Sequence, residues 1–334
     1  MFNNQLYNTP YHDIDLSKHS FLITGGAGFI GSNLVEYLLR YDAGHVRVLD
    51  NLSNGYFDNI KDFIDLPNFD FVEGDIRDLQ TCKKAVEDID FVSHQAALGS
   101  VPRSICDPIL SNDVNVSGFL NMLVAAKDSA KLKRFVYAAS SSTYGDSADL
   151  PKIEGNEGNP LSPYAVTKLV NELYSDVFSK IYGFHAIGLR YFNIFGPKQN
   201  PKNPYAAVIP IFCKHFIDGS PPIIYGDGIT SRDFTFVENA IQANIKAFQY
   251  ENSNAEVFNV ACGEQFSLNS IIDLLKEISG KSLLKPIYLN ERSGDVRHSK
   301  ASIDKIVEKL RYSDIIKLET GLKLVYNFYE KNYH

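Results

Sequence analysis

The chain has 334 residues, of which 44% are hydrophobic and 22% charged, values typical of a globular protein with one large or two smaller domains. Its formal net charge of −7 argues against a general nucleic-acid surface, and no apolar run reaches the ~18 residues that a membrane-spanning helix needs. Four cysteines are scattered without metal-ligand spacing, so we expect reduced, mostly buried thiols, no metal and a cytoplasmic protein: Cys82, Cys106, Cys213 and Cys262.

Residues 1–18 are polar and lack an apolar signal core, so we interpret them as an extension before the first strand. Short apolar runs then alternate with amphipathic, helix-length segments up to about residue 190, which predicts a parallel sheet with helices on both faces. The predicted strands are 20–24, 46–49, 69–73, 91–94, 134–139 and 185–189. The predicted helices of this part follow residue 28, cover 109–130 and extend from about 164 to 182.

After residue 190 the sequence pattern changes: pairs that contain proline or glycine, such as Gly196-Pro197 and Pro221-Pro222, separate shorter predicted elements. Helices are predicted at 238–250, 268–279, 302–310 and 317–329. This pattern indicates a smaller, loop-rich C-terminal α/β lobe.

Three glycines spaced three apart, Gly25, Gly28 and Gly31, lie between the first predicted strand and its helix. In a dinucleotide-binding turn the first glycine permits the turn, the second lets the backbone approach a pyrophosphate, and the third lets the helix pack on the strand. The helix N-terminus then offers N–H donors to the phosphates. Asp50 ends the next strand, where a carboxylate binds ribose hydroxyls and repels a 2′-phosphate, which favours NAD over NADP.

Polar side chains follow the predicted strands at equivalent positions, namely Asp50, Asp75, Gln95 and Ser140. In open α/β sheets ligands bind beyond the carboxyl ends of the strands. We therefore expect an α/β fold: a Rossmann-type doubly wound parallel sheet with a smaller C-terminal α/β substrate lobe. The predicted domains are the extension at 1–18, an NAD-binding domain at 19–190 and a substrate lobe at 191–334 that is interleaved with it.

Tyr164 and Lys168 are four residues apart on a predicted helix and therefore share one face. A nearby ammonium lowers the pKa of a phenol, so Tyr164 could act as a proton acceptor near neutral pH. A hydroxyl such as that of Ser140 could complete the proton-transfer set.

Several longer strings follow one another in this order and identify a family. They are Gly25-x-x-Gly28-x-x-Gly31, Asp75-Ile76, His94-Gln95-Ala96-Ala97, Ser140-Ser141-Ser142 before Tyr144-Gly145, Tyr164-x-x-x-Lys168, Arg190-Tyr191-Phe192-Asn193 and Ser231-Arg232-Asp233-Phe234. Together they resemble the extended short-chain dehydrogenase/reductases, and within them the nucleotide-sugar 4-epimerases. The strings 97–104, 138–145 and 161–168 are similar to those of bacterial UDP-N-acetylglucosamine 4-epimerases of surface-polysaccharide pathways.

The resemblance implies a mechanism in which Tyr164 takes the proton of the sugar 4-hydroxyl while hydride passes from C4 to NAD, and a 4-keto sugar turns over in the pocket. Lys168 would bind the nicotinamide ribose and lower the pKa of Tyr164, and Ser140 would bind the reacting oxygen. The catalytic set is therefore expected to be Ser140, Tyr164 and Lys168.

The resemblance also implies which residues contact the ligands. The cofactor set is Gly25, Gly28, Phe29, Ile30, Gly31, Asp50, Asn51, Ser53, Asn54, Gly55, Asp75, Ile76, Gln95, Ala96, Ala97, Asn115, Tyr164 and Lys168. The substrate set is Gly99, Ser100, Ser141, Ser142, Tyr164, Asn193, Gln199, Ala207, Val208, Tyr225, Arg232, Arg292, Asp295 and Ser299.

In this family two arginines grip the pyrophosphate, which corresponds to Arg232 and Arg292 here. Asp295 would bind the uridine ribose and Tyr225 would lie on the uracil, although a packed strand aromatic is the alternative for Tyr225. We interpret His94 as a packed, hydrogen-bonded histidine rather than a metal ligand or an acid–base group.

Ser299 aligns with a position that carries a tyrosine in family members restricted to sugars without an acetyl group. A small side chain there leaves room for a C2 acetamido group, so UDP-N-acetylglucosamine is favoured as substrate. The uronic-acid form remains an alternative, because Arg103 or His298 could meet a C6 carboxylate. By analogy, helices 109–130 and 164–182 would form a homodimer interface.

Two further alternatives differ in chemistry. A nucleotide-sugar 4,6-dehydratase would need an Asp-Glu pair in the serine region, where this chain has Ser141 and Ser142 before Thr143. A non-catalytic NAD-binding regulatory protein would tend to lose Tyr164 or Lys168, and both are present.

Overall fold

Thirteen strands are present in the computed structural model, which describes residues 5–201, 207–251, 254–291 and 297–332. They are β1 (Ser20–Thr24), β2 (His45–Asp50), β3 (Phe69–Glu73), β4 (Phe91–His94), β5 (Arg134–Ser140), β6 (Ala186–Tyr191), β7 (Ile194–Phe195), β8 (Ile223–Tyr225), β9 (Ser231–Arg232), β10 (Thr235–Phe236), β11 (Glu256–Val260), β12 (Phe266–Ser267) and β13 (Ile287–Leu289).

The helices flank these strands. They are α1 (Phe29–Arg40), α2 (Leu79–Ala85), α3 (Val101–Cys106), α4 (Pro108–Asn112), α5 (Phe119–Lys127), α6 (Pro163–Tyr182), α7 (Val208–Asp218), α8 (Val237–Phe248), α9 (Leu268–Ser279), α10 (Asp304–Leu310) and α11 (Leu318–Asn332).

Seven parallel strands form the central sheet in the order β3-β2-β1-β4-β5-β6-β11. The strand order reverses between β1 and β4, and the crevice at such a point is where doubly wound sheets bind ligands. The predicted Rossmann-type parallel sheet is confirmed.

Both faces of the sheet are covered, which is why its strands are almost continuously apolar. Phe21 and Ile23 of β1 belong to the core beneath α1 and α8, whereas Leu22 belongs to the core that α2, α5 and α6 complete. Alternate side chains of one strand thus enter two different cores.

The C-terminal half contributes to this sheet as well as to the lobe. β11 pairs with β6 in parallel, and α8 packs on β5, β6 and α1. In the lobe, α7, α9 and α11 pack together beside the small strand pairs β8–β13 and β9–β12. Our division of the chain into domains stays a prediction.

The helix predicted over 109–130 is interrupted. α4 continues into a π-helical turn at Asp113–Gly118 before α5 begins. Gly118 lies in this turn, where a Cβ would come within 2.7 Å of the Ile76 side chain. The wider helical turn therefore lies where the helix approaches Ile76, in the segment after β3. Sequence periodicity does not predict such a tertiary contact.

The extension before β1 folds onto the sheet domain. Leu6, Tyr7 and Tyr11 are buried, and Leu16–Lys18 forms a short 3₁₀ turn that Asp15 caps. Within the described ranges, no helix is both long and apolar enough to cross a membrane.

Candidate functional site

A cavity of about 530 Å³ lies at the carboxyl ends of the central strands. Residues at or just after the ends of strands β1 to β6 line it, and the segment from Asn193 to Asn200 supplies a further wall. The predicted crevice and the strand-end residues Asp50, Asp75, Gln95 and Ser140 therefore meet in one place.

The glycine turn forms the part of the cavity beside α1. Gly25 has a φ of +67°, and a Cβ there would lie 2.7 Å from the backbone nitrogen of Ala96. A Cβ on Gly31 would lie 2.2 Å from the carbonyl oxygen of Gly25. These contacts keep the turn and the helix close together. Because α1 begins directly after Gly28, the free N–H groups of its first turn lie where Phe29, Ile30 and Gly31 line the cavity, as a pyrophosphate site requires.

Asp50 lies beside this cradle and is almost completely buried. Its carboxylate accepts hydrogen bonds from the backbone N–H of Ala27 (3.0 Å) and of Leu52 (2.8 Å). Burial raises the pKa of Asp50, and these two bonds counteract that rise. A carboxylate has about four lone-pair positions, so Asp50 retains capacity for ribose hydroxyls.

Asp75, after β3, is held at the far end of the cavity. Arg77 donates to both of its carboxylate oxygens, from Nε at 3.1 Å and Nη2 at 2.8 Å, and Asn51 Nδ2 donates at 2.8 Å. These bonds, led by Arg77, lower the pKa of Asp75 to about 2. Asp75 is therefore ionised and oriented at neutral pH.

The cavity floor after β4 rests on a buried polar network. Gln95 Nε2 lies within hydrogen-bond distance of Ser93 Oγ (2.8 Å), Asn244 Oδ1 (3.1 Å) and the Tyr191 hydroxyl (3.1 Å), so its two N–H groups serve these three acceptors. Asn244 Nδ2, on α8, donates to the same Tyr191 hydroxyl at 2.8 Å. Gln95 and Tyr191 line the cavity, so α8 fixes two of its walls from behind.

Tyr164 and Lys168 lie in the first turns of α6, which begins under a Ser162 cap with Pro163 in its first turn. Lys168 is 4% exposed, and its Nζ donates to the Ala138 carbonyl oxygen at 2.6 Å and lies 6.0 Å from the centre of the Tyr164 ring. Burial lowers the pKa of Lys168 to about 8, against the opposing effect of the nearby Glu172 carboxylate.

The pKa of Tyr164 differs from the sequence-based expectation. Burial raises it, and a hydrogen bond with Ser140 counteracts that rise in part. We expected Lys168 to lower this pKa, but its ammonium, which donates to the Ala138 carbonyl oxygen and lies 6.0 Å from the centre of the Tyr164 ring, is not among the groups that shift it. The loss of water around the phenol therefore outweighs the Ser140 hydrogen bond.

Ser140 is positioned to donate its own proton. Its Oγ accepts hydrogen bonds from the backbone N–H (3.1 Å) and the hydroxyl (2.9 Å) of Ser142. With both acceptor positions occupied, the remaining Ser140 O–H is available for the Tyr164 oxygen. Ser142 acts here through Ser140 and does not line the cavity.

The cavity brings most of the predicted residues together. Those that line it are Gly25, Gly28, Phe29, Ile30, Gly31, Asp50, Asn51, Ser53, Asn54, Gly55, Asp75, Ile76, Gln95, Ala96, Ala97, Gly99, Ser140, Ser141, Tyr164, Lys168, Asn193, Gln199 and Ala207.

Asn115 is placed differently from our prediction. It lies in the π-helical turn, 2% exposed, where its side chain accepts from the Leu98 N–H at 2.8 Å and donates to the Thr167 hydroxyl at 3.2 Å. It does not line the cavity; it ties the Leu98 segment to α6 instead.

The remaining substrate residues are not among those that line the cavity. Ser100 caps α3, Val208 begins α7, and Tyr225 is partly exposed on β8. Arg232 Nη1 donates to the Ser231 carbonyl oxygen at 2.9 Å, which also accepts the N–H of Ser299 at 3.1 Å. Arg292 and Asp295 lie outside the described residues.

His94 is packed and hydrogen-bonded, as predicted. It is 4% exposed, bonds Thr24 Oγ1 through Nδ1 at 2.8 Å and contacts the rings of Phe119 and Phe135. Burial, with a contribution from Lys168, lowers the pKa of His94 to about 3, so it is neutral at physiological pH.

Sequence reasoning missed several lining residues: Leu49, Tyr56, Gly74, Leu98, Val114, Ala138, Ala139, Tyr191, Ile194, Lys198 and Asn200. Tyr191 lies within a motif that we had singled out, and Leu49, Gly74 and Ala139 adjoin strand ends that we had predicted. Lys198 carried no comparable signal, because only the tertiary fold brings its segment to the cavity.

Solved structures over nearly the whole chain share this architecture. A UDP-N-acetylglucosamine 4-epimerase from Methanobrevibacter ruminantium, in complex with UDP-N-acetylmuramic acid, is 36% identical, with a TM-score of 0.88 over 94% of this chain and 98% of that one. A UDP-glucose 4-epimerase from Thermotoga maritima, with UDP-glucose, is 34% identical, with a TM-score of 0.87 over 94% and 100%. A UDP-glucuronic acid 4-epimerase from Bacillus cereus, with UDP-glucuronic acid and NAD, is 33% identical, with a TM-score of 0.86 over 94% and 100%.

The glycine cradle, Asp50 and the Tyr164–Lys168 pair define an NAD-dependent enzyme of the extended short-chain dehydrogenase/reductase class. The sequence profile of the NAD dependent epimerase/dehydratase family matches residues 21–261. The chain belongs to this family, and NAD is its cofactor.

Proposed function

We propose that the protein interconverts UDP-N-acetylglucosamine and UDP-N-acetylgalactosamine by epimerisation at C4. It is an NAD-dependent UDP-sugar 4-epimerase, a class to which the three solved relatives belong by description. The observation that carries the chemistry is the meeting of Ser140, Tyr164 and Lys168 in the cavity that the glycine turn opens.

The chain's own residues account for the proton transfer. Tyr164 would accept the proton of the sugar 4-hydroxyl, and Ser140 would bind the same oxygen as it becomes a carbonyl. Lys168, with its pKa of about 8, is largely protonated at neutral pH and supplies positive charge beside the phenol. When bound, NAD supplies a reversible hydride acceptor for C4.

The residues that would hold the cofactor form a continuous path along the cavity. Gly25 would permit the tight turn, Gly28 would let the backbone approach the pyrophosphate, and Asp50 would bind the adenosine ribose. Turnover of a 4-keto sugar requires that both of its faces can be presented to the same nicotinamide. The cavity wall at 193–200 would therefore hold the sugar loosely enough to rotate.

The acetylated substrate is supported by two small residues. A Cβ on Gly99 would meet nothing within 4 Å, so the wall is open there. By the resemblance, Ser299 is a small residue at the position where family members restricted to sugars without an acetyl group carry a tyrosine, although it is not among the residues that line the cavity. A backbone bond to Ser231 fixes Ser299 beside Arg232, one of the proposed pyrophosphate ligands.

A neutral C6 is favoured over a uronic acid, because the two candidate cations have partners in the protein. Arg103 Nη2 donates to Asn54 Oδ1 at 3.2 Å, and His298 Nδ1 bonds Ser231 Oγ at 2.7 Å. A 4,6-dehydratase activity is disfavoured because Ser141 and Ser142 occupy the positions where a nucleotide-sugar 4,6-dehydratase would need carboxylates.

We also propose that the protein is a homodimer through α6 and the segment 109–130, which carries most of α4 and all of α5. Val166, Leu173, Val177 and Ile181 are exposed along one side of α6, and Ile109 on α4 is 82% exposed. Light scattering on the purified protein should give twice the chain mass, and Leu173→Glu should yield monomers. The matched Leu283→Glu, at an exposed leucine away from α6, should leave the dimer intact.

A cytoplasmic setting is proposed from the cysteines. All four are free; three are buried, and Cys106 is exposed. Thiols in this state persist in reducing compartments.

The test is incubation with a panel of UDP-sugars, followed by NMR identification of the products. We expect UDP-N-acetylglucosamine to give its C4 epimer and UDP-glucose to react less well. Exclusive turnover of the N-acetylated uronic acid would replace the proposed substrate, a 6-deoxy-4-keto product would indicate dehydration, and failure of every sugar to react would contradict the proposal.

A further inference from the structure

The extension before β1 makes buried polar contacts that the catalytic account leaves unused. Tyr7 is fully buried and Tyr11 is 7% exposed. The Tyr7 hydroxyl donates to Asn33 Oδ1 at 2.7 Å, and the Tyr11 hydroxyl donates to Glu238 Oε1 at 2.8 Å. The two tyrosines thus bond to different helices, α1 and α8.

Asn33 transmits the Tyr7 contact to the cavity side of α1. Its side chain is fully buried, and its Nδ2 donates to the carbonyl oxygens of Phe29 (2.8 Å) and Pro197 (3.1 Å). An amide has one oxygen and one NH₂ group, so a hydroxyl bound to the oxygen turns the NH₂ group the other way. Tyr7 therefore orients the group that binds Pro197.

Pro197 opens the segment that forms a further wall of the cavity. Lys198, Gln199 and Asn200 follow it, and all three line the cavity. Lys198 has a φ of +69°, and its Nζ is 2.8 Å from Glu36 Oε2, one turn beyond Asn33 on α1. The left-handed backbone at Lys198 is unfavourable for a residue with a side chain and persists only where neighbours hold it.

The other end of Tyr7 is equally fixed. Its carbonyl oxygen accepts the Tyr41 hydroxyl at 2.8 Å, its N–H donates to Glu238 Oε1 at 3.0 Å, and its ring meets Tyr37 edge-on. The extension is thus clamped between α1 and α8, and its contact with Asn33 leads to the cavity wall.

We infer that Tyr7 is a positioning residue that, through Asn33 and Pro197, fixes the segment 197–200 as a wall of the sugar pocket. The inference rests on the proposed function for its kinetic consequence, since this wall meets the sugar only if the cavity binds a UDP-sugar. Its structural consequence, the order of the segment, is independent of any activity.

The test compares Tyr7→Phe with Tyr11→Phe. Each variant keeps the ring and removes one buried hydroxyl of the extension, but only Tyr7 bonds to Asn33. For Tyr7→Phe we expect KM for UDP-N-acetylglucosamine to rise about fivefold, which corresponds to about 1 kcal/mol, with little change in kcat. For Tyr11→Phe we expect an equal or larger loss of thermal stability with KM unchanged.

Hydrogen–deuterium exchange separates the inference from the proposed function. Backbone amides of 198–200 should exchange several times faster in Tyr7→Phe than in the wild type, and at the wild-type rate in Tyr11→Phe. Equal effects of the two variants on KM and on exchange, or no effect of either, would overturn the inference. An inactive wild type would contradict the proposed function, while the exchange rates would still decide on Tyr7.

Discussion

The hydroxyl of Tyr164 is the group on which epimerisation should depend most. Tyr164→Phe keeps the ring in place beside Lys168 but removes the proton acceptor. We expect kcat to fall about a hundredfold to ten-thousandfold, the usual range for a general base, while UDP-sugar binding persists. Turnover and calorimetric titration with UDP-N-acetylglucosamine measure both quantities.

Tyr182→Phe, at the exposed end of the same helix, is the matched control and should keep its turnover. Near-normal turnover of Tyr164→Phe would show that another group takes the proton.

Burial of the charged Lys168 side chain should lower the stability of the folded protein. Its pKa is about 8 in the folded protein against an ordinary value of 10.5, so folding removes water from a charge at neutral pH. Below pH 8 the folded and unfolded states are both protonated and the full penalty applies. Between pH 8 and 10.5 only the unfolded state stays charged and the penalty declines, and above 10.5 it vanishes.

We therefore expect Lys168→Met to be inactive yet more stable than the wild type at pH 7. The gain should be on the order of 1–3 kcal/mol, since loss of the bond to Ala138 offsets part of it. Chemical denaturation between pH 7 and 10 measures the difference, which should shrink as pH rises. A variant that is less stable at pH 7, or a gap that widens with pH, would refute the assigned burial penalty.

Ser299 should decide between acetylated and unsubstituted sugars. Ser299→Tyr fills the space proposed for the acetamido group, and overfilling a packed wall costs about 1–3 kcal/mol. We expect kcat/KM for UDP-N-acetylglucosamine to fall about tenfold or more and that for UDP-glucose to change little. Ser299→Ala should keep the wild-type preference, and an equal decline for both sugars in Ser299→Tyr would show that this residue is not the wall.

At the scale of elements, the glycine turn and α1 should control cofactor retention. The wild type should copurify with NAD rather than NADP, because Asp50 lies where a 2′-phosphate would be repelled. Gly31→Ala would force a Cβ to within 2.2 Å of the Gly25 carbonyl oxygen and should strongly reduce the NAD content. Gly99→Ala, where a Cβ has open space, should retain NAD.

Nucleotide released by denaturation and separated by chromatography gives the content of each protein. Recovery of mainly NADP from the wild type, or full NAD retention in Gly31→Ala, would contradict this account of the turn.

The six strands predicted up to residue 190 are all present, because buried parallel strands are short apolar runs that end at polar residues. β11 was missed: its run Glu256–Val260 lies in the loop-rich half, and only pairing with β6 reveals its place. The π-helical turn was missed as well, since it coincides with contacts to Ile76 and Leu98 that are distant in sequence. The local sequence pattern thus predicted the main strands and helices, whereas features such as the π-helical turn depend on tertiary contacts.

The same division holds for the site. Motif spacing predicted that Tyr164, Lys168 and Ser140 share one site, and all three line the cavity; their catalytic roles stay a prediction. We predicted that the pKa of Tyr164 is lowered, but burial raises it. The extent of burial depends on everything that packs around the phenol, which the local sequence does not show. The cavity wall at Lys198 was invisible to sequence reasoning for the same reason.

At the scale of the whole molecule, both halves of the chain build one site. The first half supplies the glycine turn and the catalytic set, and the second supplies the wall at 193–200 and α8, which holds Gln95 and Tyr191 from behind. The extension before β1 packs across α1 and α8 and so links these two helices. An enzyme that turns a 4-keto sugar over before the hydride returns needs a cavity that holds this intermediate throughout.

The most direct measurement uses UDP-N-acetylglucosamine that carries deuterium at C4. The account predicts that NMR finds UDP-N-acetylgalactosamine with the deuterium still at C4, because the hydride removed from that carbon returns to it. Deuterium at C6 of a 6-deoxy-4-keto product would identify a dehydratase, and loss of the label to water would show proton rather than hydride transfer. Either result would contradict the proposed epimerase.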